Sequence, residues 1–195
     1  MTDNNFIEIK NFNLSYGKVN VFSNFNFSVE KGKCIVIFGP TGTGKTSLLN
    51  KIVDDYIKEY KIAYIFQDNK LIENLTVEKN IILPLEKIMK KENAIETVKN
   101  IINLVNLKEK TNEKTSVLSG GERQRVNIAR AFAYGKSAPC EILLMDEPFS
   151  AQDEENRRNL IELTKKICKE NHITSVIVSH NRNDLDMLCD NIIDL

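Results

Sequence analysis

Three short stretches of this sequence combine residue types that suit phosphate chemistry. The first, Gly39-Pro40-Thr41-Gly42-Thr43-Gly44-Lys45-Thr46, fits the pattern G-x-x-x-x-G-K-[ST]. Its glycines let the backbone curl until successive N–H groups point at phosphate oxygens. A helix opening there adds the positive end of its dipole. In that frame Lys45 reaches the β- and γ-phosphates and the Thr46 hydroxyl ligates Mg²⁺. The second, Ile142-Leu143-Leu144-Met145, runs into Asp146, Glu147 and Pro148. Side chains alternate along a strand, so the two carboxylates point different ways and take different roles. Asp146 is assigned to the Mg²⁺ shell, and Glu147 to orienting and deprotonating a water. Pro148 lacks the N–H needed to continue the strand.

The third stretch is Leu118-Ser119-Gly120-Gly121-Glu122-Arg123-Gln124-Arg125. Ser119 and Glu122 have the spacing of a capping box and would open a helix whatever its purpose. Val126, Ala129, Phe132 and Ala133 supply the apolar face of that helix. Capping does not call for Gly120 and Gly121 in succession. Paired glycines at a helix start are what a backbone needs to approach a phosphate closely.

The elements that must position these stretches are legible as runs and periods. Residues 34–38 form an unbroken apolar run directly before the glycine loop, and Thr46-Ser47-Leu48-Leu49 starts a helix after it. Unbroken apolar strands belong to parallel sheets covered on both faces, and residues 62–66, 142–145 and 174–178 are three more. Ile192-Ile193 reads as a short closing strand. Residues 6–29 instead alternate, with Ile7, Ile9, Phe25, Phe27 and Val29 apolar, as half-buried antiparallel strands do. Glu30-Lys31-Gly32-Lys33 is the turn that closes them. Between 68 and 118 the chain turns helical, with Ile95, Val98, Ile101, Ile102 and Val105 at spacings of three and four. The predicted fold is α/β, a P-loop NTPase with a mostly parallel core sheet flanked by helices. It carries an N-terminal antiparallel layer and a small inserted helical lobe. The whole chain, 1–195, is read as one domain. Residues 1–33 form the antiparallel part, 34–67 and 136–195 the core, and 68–135 the lobe.

Bulk properties narrow the function classes. Lys+Arg and Asp+Glu both number 27 in 195 residues, so no net field draws the chain to nucleic acid, and no nucleic-acid partner is expected. The apolar runs are far shorter than a bilayer span, and residues 1–9 hold no apolar signal core, so a cytoplasmic protein is expected. Cys34, Cys140, Cys168 and Cys189 make no CxxC pair and sit in apolar patterns, as buried free thiols do.

Residues 118–125, together with the glycine loop and the acidic strand end, resemble the ATP-binding cassette (ABC) family, whose signature is LSGGE or LSGGQ followed by a QR-containing helix. The likeness runs in order from Tyr16 to His180. It implies an aromatic stacking on adenine at Tyr16 and ATP contacts from Gly39 through Ser47. It implies a Mg²⁺-sensing glutamine at Gln67, which joins Thr46 and Asp146 as a metal residue, and a switch histidine on the γ-phosphate at His180. Lys45, Glu147 and His180 are then the catalytic group. Ser150-Ala151-Gln152-Asp153 resembles the loop that crosses the dimer axis. Ser119, Gly120, Gly121 and Glu122 are implied to act in trans, on ATP held by a second copy.

The resemblance therefore implies a Mg²⁺-dependent ATPase that works as a head-to-tail pair. A membrane permease would be contacted near residues 67–75, which would hold the protein to the cytoplasmic membrane face. A soluble, non-transport ABC ATPase such as an iron–sulfur assembly factor is the alternative. Residues 66–72 and 75–77 resemble small-solute importers, and 80–85 equally resemble lipoprotein-release and peptide exporters. Two departures stand out. The segment from Lys45 to Gln67 is shorter than in the family, and Gln152 stands where leucine is usual.

Overall fold

In the computed structural model, described for residues 5–137, 140–181 and 189–195, the apolar runs become one five-stranded sheet. The N-terminal alternating segment is a hairpin, β1 (Asn5–Tyr16) and β2 (Val19–Glu30), turned through Gly17 in left-handed backbone. Then come β3 (Cys34–Phe38), α1 (Lys45–Tyr56), β4 (Ile62–Ile65), α2 (Val77–Ile82) and α3 (Lys91–Leu104). The chain continues through α4 (Gly120–Ser137), β5 (Ile142–Asp146), α5 (Glu154–Glu170), β6 (Thr174–Ser179) and β7 (Asn191–Asp194). The sheet order is β4-β5-β6-β3-β7, and every pairing within it is parallel. β1 and β2 form a separate antiparallel pair.

Strand alternation divides the core in two. Ile35, Ile37, Ile142, Leu144, Val176 and Val178 face the hairpin and Leu48, Leu49 and Ile52 of α1. Val36, Leu143, Met145 and Ile177 face the opposite side, toward α4 residues Val126, Ala129 and Phe132 and toward α5. A strand buried on both faces favours apolar side chains throughout, and in β6 only small hydroxyls, Thr174, Ser175 and Ser179, interrupt the run. The same second core holds Val77, Ile81, Val98 and Ile101, so the helices between β4 and β5 share the sheet's own packing.

Two expectations are corrected. Ile95 is 43% exposed, and the buried stripe of α3 runs through Ala94, Val98, Ile101 and Ile102. Ala94 takes the inward place at 1% exposure, and Ile95 falls one residue round, at the edge of the stripe. All four cysteines are free thiols, yet only Cys140 and Cys168 are buried; Cys34 and Cys189 are half-buried. Burial pushes Cys34 and Cys168 up to about 12, with Cys140 at about 11.

Parallel strands end together, and that sets the geometry of the site. The glycine loop follows β3, Gln67 follows β4, Glu147 follows β5 and His180 follows β6. Four separated stretches thereby meet at the carboxyl edge of one sheet, where open α/β sheets bind ligands.

Candidate nucleotide-binding site

A cleft of about 270 Å³ lies at that edge. Its walls include Tyr16, Thr41, Gly42, Gly44, Lys45, Thr46, Ser47, Gln67, Asp146, Glu147 and His180. Gly42 (φ +89°) and Gly44 (φ +85°) hold the loop in left-handed backbone, which side chains beyond glycine rarely adopt. Gly44 also caps α1, so the free amides of the first helical turn open into the cleft. Gly39, Pro40 and Thr43 shape the loop from behind. Lys45 Nζ donates to Gly39 O and Pro40 O, both at 2.7 Å, and the Thr43 hydroxyl donates to Pro40 O at 3.0 Å. Lys45 is 7% exposed and its ammonium is folded onto its own loop, with carbonyls in the place of phosphate oxygens.

Across the cleft the Thr46 hydroxyl donates to Asp146 Oδ2 at 2.7 Å. Burial raises the Asp146 carboxyl above its ordinary range; the Thr46 hydrogen bond opposes this, and the Glu147 charge adds to the rise. Glu147 lies just beyond the strand end with φ +48°. Its departure from the direction of Asp146 thus comes from a left-handed turn rather than from pleat alternation. Its amide donates to Val178 O at 3.0 Å, which ties the turn to β6. His180 Nδ1 lies 2.8 Å from Glu147 Oε1, the imidazole 57% exposed and the carboxylate 10%. Tyr16, on the rim, shares a 2.9 Å hydroxyl hydrogen bond with Ser47.

The loop carrying Gln67 is held from α4. Asn127 Nδ2 donates to Phe66 O at 3.1 Å, and the Arg130 guanidinium donates to Lys70 O at 2.9 Å and Asn69 O at 3.2 Å. Arg123 reaches Glu73 at 3.0 Å. Sequence reading missed these anchors. Their only trace was polar residues three and four apart on an otherwise apolar helix.

The signature turn lies apart from these walls. The Ser119 amide donates to Glu122 Oε2 at 2.8 Å, and the Glu122 amide donates to Ser119 Oγ at 3.3 Å, the reciprocal bonds of a capping box. Ser119 and Gly120 are exposed, and neither they nor Gly121 and Glu122 line the cleft of their own chain.

A cleft at the carboxyl edge, with a glycine loop and a paired acidic strand end, defines a P-loop NTPase. The ABC transporter family profile matches residues 22–150, and the chain belongs to that family. It is 30% identical to the sulfate/thiosulfate import ATP-binding protein CysA of Halalkalibacterium halodurans, over 91% of this chain and 55% of that protein. The chain thus spans about half the length of that relative. It is 33% identical to a probable ABC transporter ATP-binding protein, PEB1C, of Campylobacter jejuni, over 96% of this chain and 85% of that one. Among solved structures, the dimeric ATP-binding cassette MJ0796 bound to ADP and Pi in a post-hydrolysis state superposes with a TM-score of 0.83. It shares 30% identity, and the match covers 96% of this chain and 93% of that one. Among the described residues, no helix is long and apolar enough to cross a membrane.

Proposed function

We propose that this chain binds and hydrolyses ATP as the nucleotide-binding subunit of a membrane transporter, working as a head-to-tail pair. The carrying observation is the split between the two halves of the chemistry. Lys45, Thr46, Asp146, Glu147 and His180 converge on one cleft, whereas Ser119 and Gly120 stand exposed outside it with Gly121 half-buried behind them. A second copy, turned about a two-fold axis, would bring its turn to the open side of the cleft. The MJ0796 cassette, solved as a dimer, is a precedent for pairing of such chains.

In the bound state the adenine stacks on Tyr16, and the triphosphate lies along residues 39–47. Lys45 leaves the carbonyls of Gly39 and Pro40 for phosphate oxygens, exchanging one pair of acceptors for another. The oxygen set of Thr46, Asp146 and Gln67 suits Mg²⁺, a hard cation that takes few protein ligands and keeps phosphate and water. When bound, the ion neutralises phosphate charge. Glu147 accepts a proton from the attacking water as the new bond to the γ-phosphorus forms and the bond to the β-phosphate oxygen breaks. His180, 2.8 Å from Glu147, fixes that carboxylate and reaches the γ-phosphate. Ser119, Gly120, Gly121 and Glu122 of the second copy close the cage. A permease docking near residues 67–75 would receive the motion and hold the cassette at the cytoplasmic membrane face.

Glu147→Gln keeps the size of the side chain and removes the base. ATP affinity is expected to persist while hydrolysis falls by about two or more orders of magnitude, and gel filtration with ATP then shows a dimer. Ser119→Arg should spare nucleotide binding by the monomer and abolish both the dimer and turnover. Normal turnover in Glu147→Gln, or loss of monomer binding in Ser119→Arg, would overturn these assignments.

A further inference from the structure

Gln152 sits in the loop that follows the catalytic strand end, where the sequence departs from the family's leucine. It is 6% exposed, and its amide is spent in two directions. Oε1 accepts from Arg125 Nη1 at 3.0 Å, and Nε2 donates to Gly121 O at 3.0 Å. A guanidinium only donates and a carbonyl only accepts, so these two partners fix which way the amide points.

The contact is close as well as polar. A Cβ built on Gly121 would lie 2.9 Å from Ala151 O, so only glycine lets the turn rest on this loop. Three residues on from Gly121, Gln124 Nε2 donates to Pro148 O at 3.0 Å, with Gln124 3% exposed. The Ser150 hydroxyl donates to Glu147 O at 3.0 Å, and the Gln152 amide N–H to Phe149 O at 3.3 Å. Arg157 holds the Gln152 carbonyl at 3.1 Å. The stretch from Glu147 to Gln152 is therefore pinned at both ends to the first turns of α4, and the glycine pair cannot shift without pulling on the backbone beside Glu147.

We propose that Gln152 is a positioning residue. Its amide latches the signature turn, which serves the partner's nucleotide, to the loop that sets Glu147, which serves this subunit's own. This inference rests on the head-to-tail reading above. Contact between the turn and the partner's triphosphate would then align the carboxylate in the subunit that makes the contact.

The test uses the full chain. Gln152→Leu keeps the volume and removes both bonds, leaving Gly121 O and Arg125 Nη1 without these partners. Loss of the two pairings should lower kcat by about tenfold or more, tenfold being the equivalent of one of them. A fluorescent ATP analogue should bind the monomer within about twofold of the parent affinity. In the Glu147→Gln background, ATP-driven dimer assembly should persist at the same protein concentration. A residue that only supported the fold would depress binding and assembly together. Gln152→Glu keeps the acceptor for Arg125 but sets an oxygen against Gly121 O, and should fall at least as far as Gln152→Leu. If Gln152→Leu does not fold, Gln152→Asn, whose shorter amide cannot span both partners, is read the same way. Parent kcat in Gln152→Leu, or recovery of parent kcat by Gln152→Glu, would overturn the latch. Should Ser119→Arg leave turnover intact, the head-to-tail reading fails instead, and the two failures are told apart.

Discussion

Replacing Gly44 by alanine should cost this protein more than the same change at Gly42, and the geometry gives the difference. Both glycines have φ between +85° and +89°, so each alanine takes on a left-handed backbone costing about 1–2 kcal/mol. At Gly42 a new Cβ meets no atom within 4 Å. At Gly44 it would lie 2.4 Å from Val21 Cγ1 and 2.7 Å from Phe22 Cε2, far inside van der Waals contact. Overpacking of that kind adds about 1–3 kcal/mol, because Phe22 is a buried member of the hairpin core and cannot swing away. The expected totals are about 1–2 kcal/mol for Gly42→Ala and about 2–5 kcal/mol for Gly44→Ala. Urea titration of the nucleotide-free protein measures both, and Gly44→Ala should lower the thermal midpoint by about 4–20 °C. Adding Val21→Ala to Gly44→Ala should recover part of the loss. Equal midpoints for the two single variants, or no recovery in the double variant, would refute the claim that the hairpin is packed onto the phosphate loop.

Other perturbations test separate parts of the structure. Glu122 is held below its usual carboxylate range, first by the Ser119 amide hydrogen bond, so its contribution is present at neutral pH and lost as pH falls through the lowered value. Acid unfolding of Glu122→Gln should accordingly show a shallower pH dependence, and Ser119→Ala should cost about 1 kcal/mol in urea. The raised thiols act at the other end. Cys34 and Cys168, at about 12 when folded and near 9.0 otherwise, favour the native state below pH 9 and withdraw that support as pH rises toward 12. Cys168→Ala should flatten the alkaline slope in urea titrations between those limits. Asn80 is fully buried; its Oδ1 accepts from the Ile72 amide at 2.9 Å, and its Nδ2 donates to Ile72 O at 3.0 Å and Thr76 O at 3.1 Å. Asn80→Leu orphans these groups and should cost about 2–4 kcal/mol by the same titration.

The parallel sheet was legible because burial on both faces demands unbroken apolar runs, and residues 34–38 stand out for that reason alone. The carboxyl-edge convergence followed from it, since parallel strands deliver their following residues to one side. The glycine loop was legible because its backbone conformation restricts the residue types allowed at Gly42 and Gly44. The inward face of α3 was not, because Ala94 and Ile95 differ by one position and only tertiary packing chooses between them. Nor was the left-handed turn at Glu147, which a strand pattern cannot reveal. The amide of Gln152 and the guanidinium of Arg130 find their partners across long sequence separations, and no local period encodes such pairs. Gln152 drew notice only as an unexpected residue, without any indication of what it holds.

The most direct test of the paired mechanism is ATP hydrolysis per chain as a function of protein concentration. Two copies enclosing the nucleotide require the specific activity to rise in proportion to concentration while dimers are scarce, and then to level off. A specific activity independent of concentration, down to levels where sedimentation finds only monomers, would contradict the account.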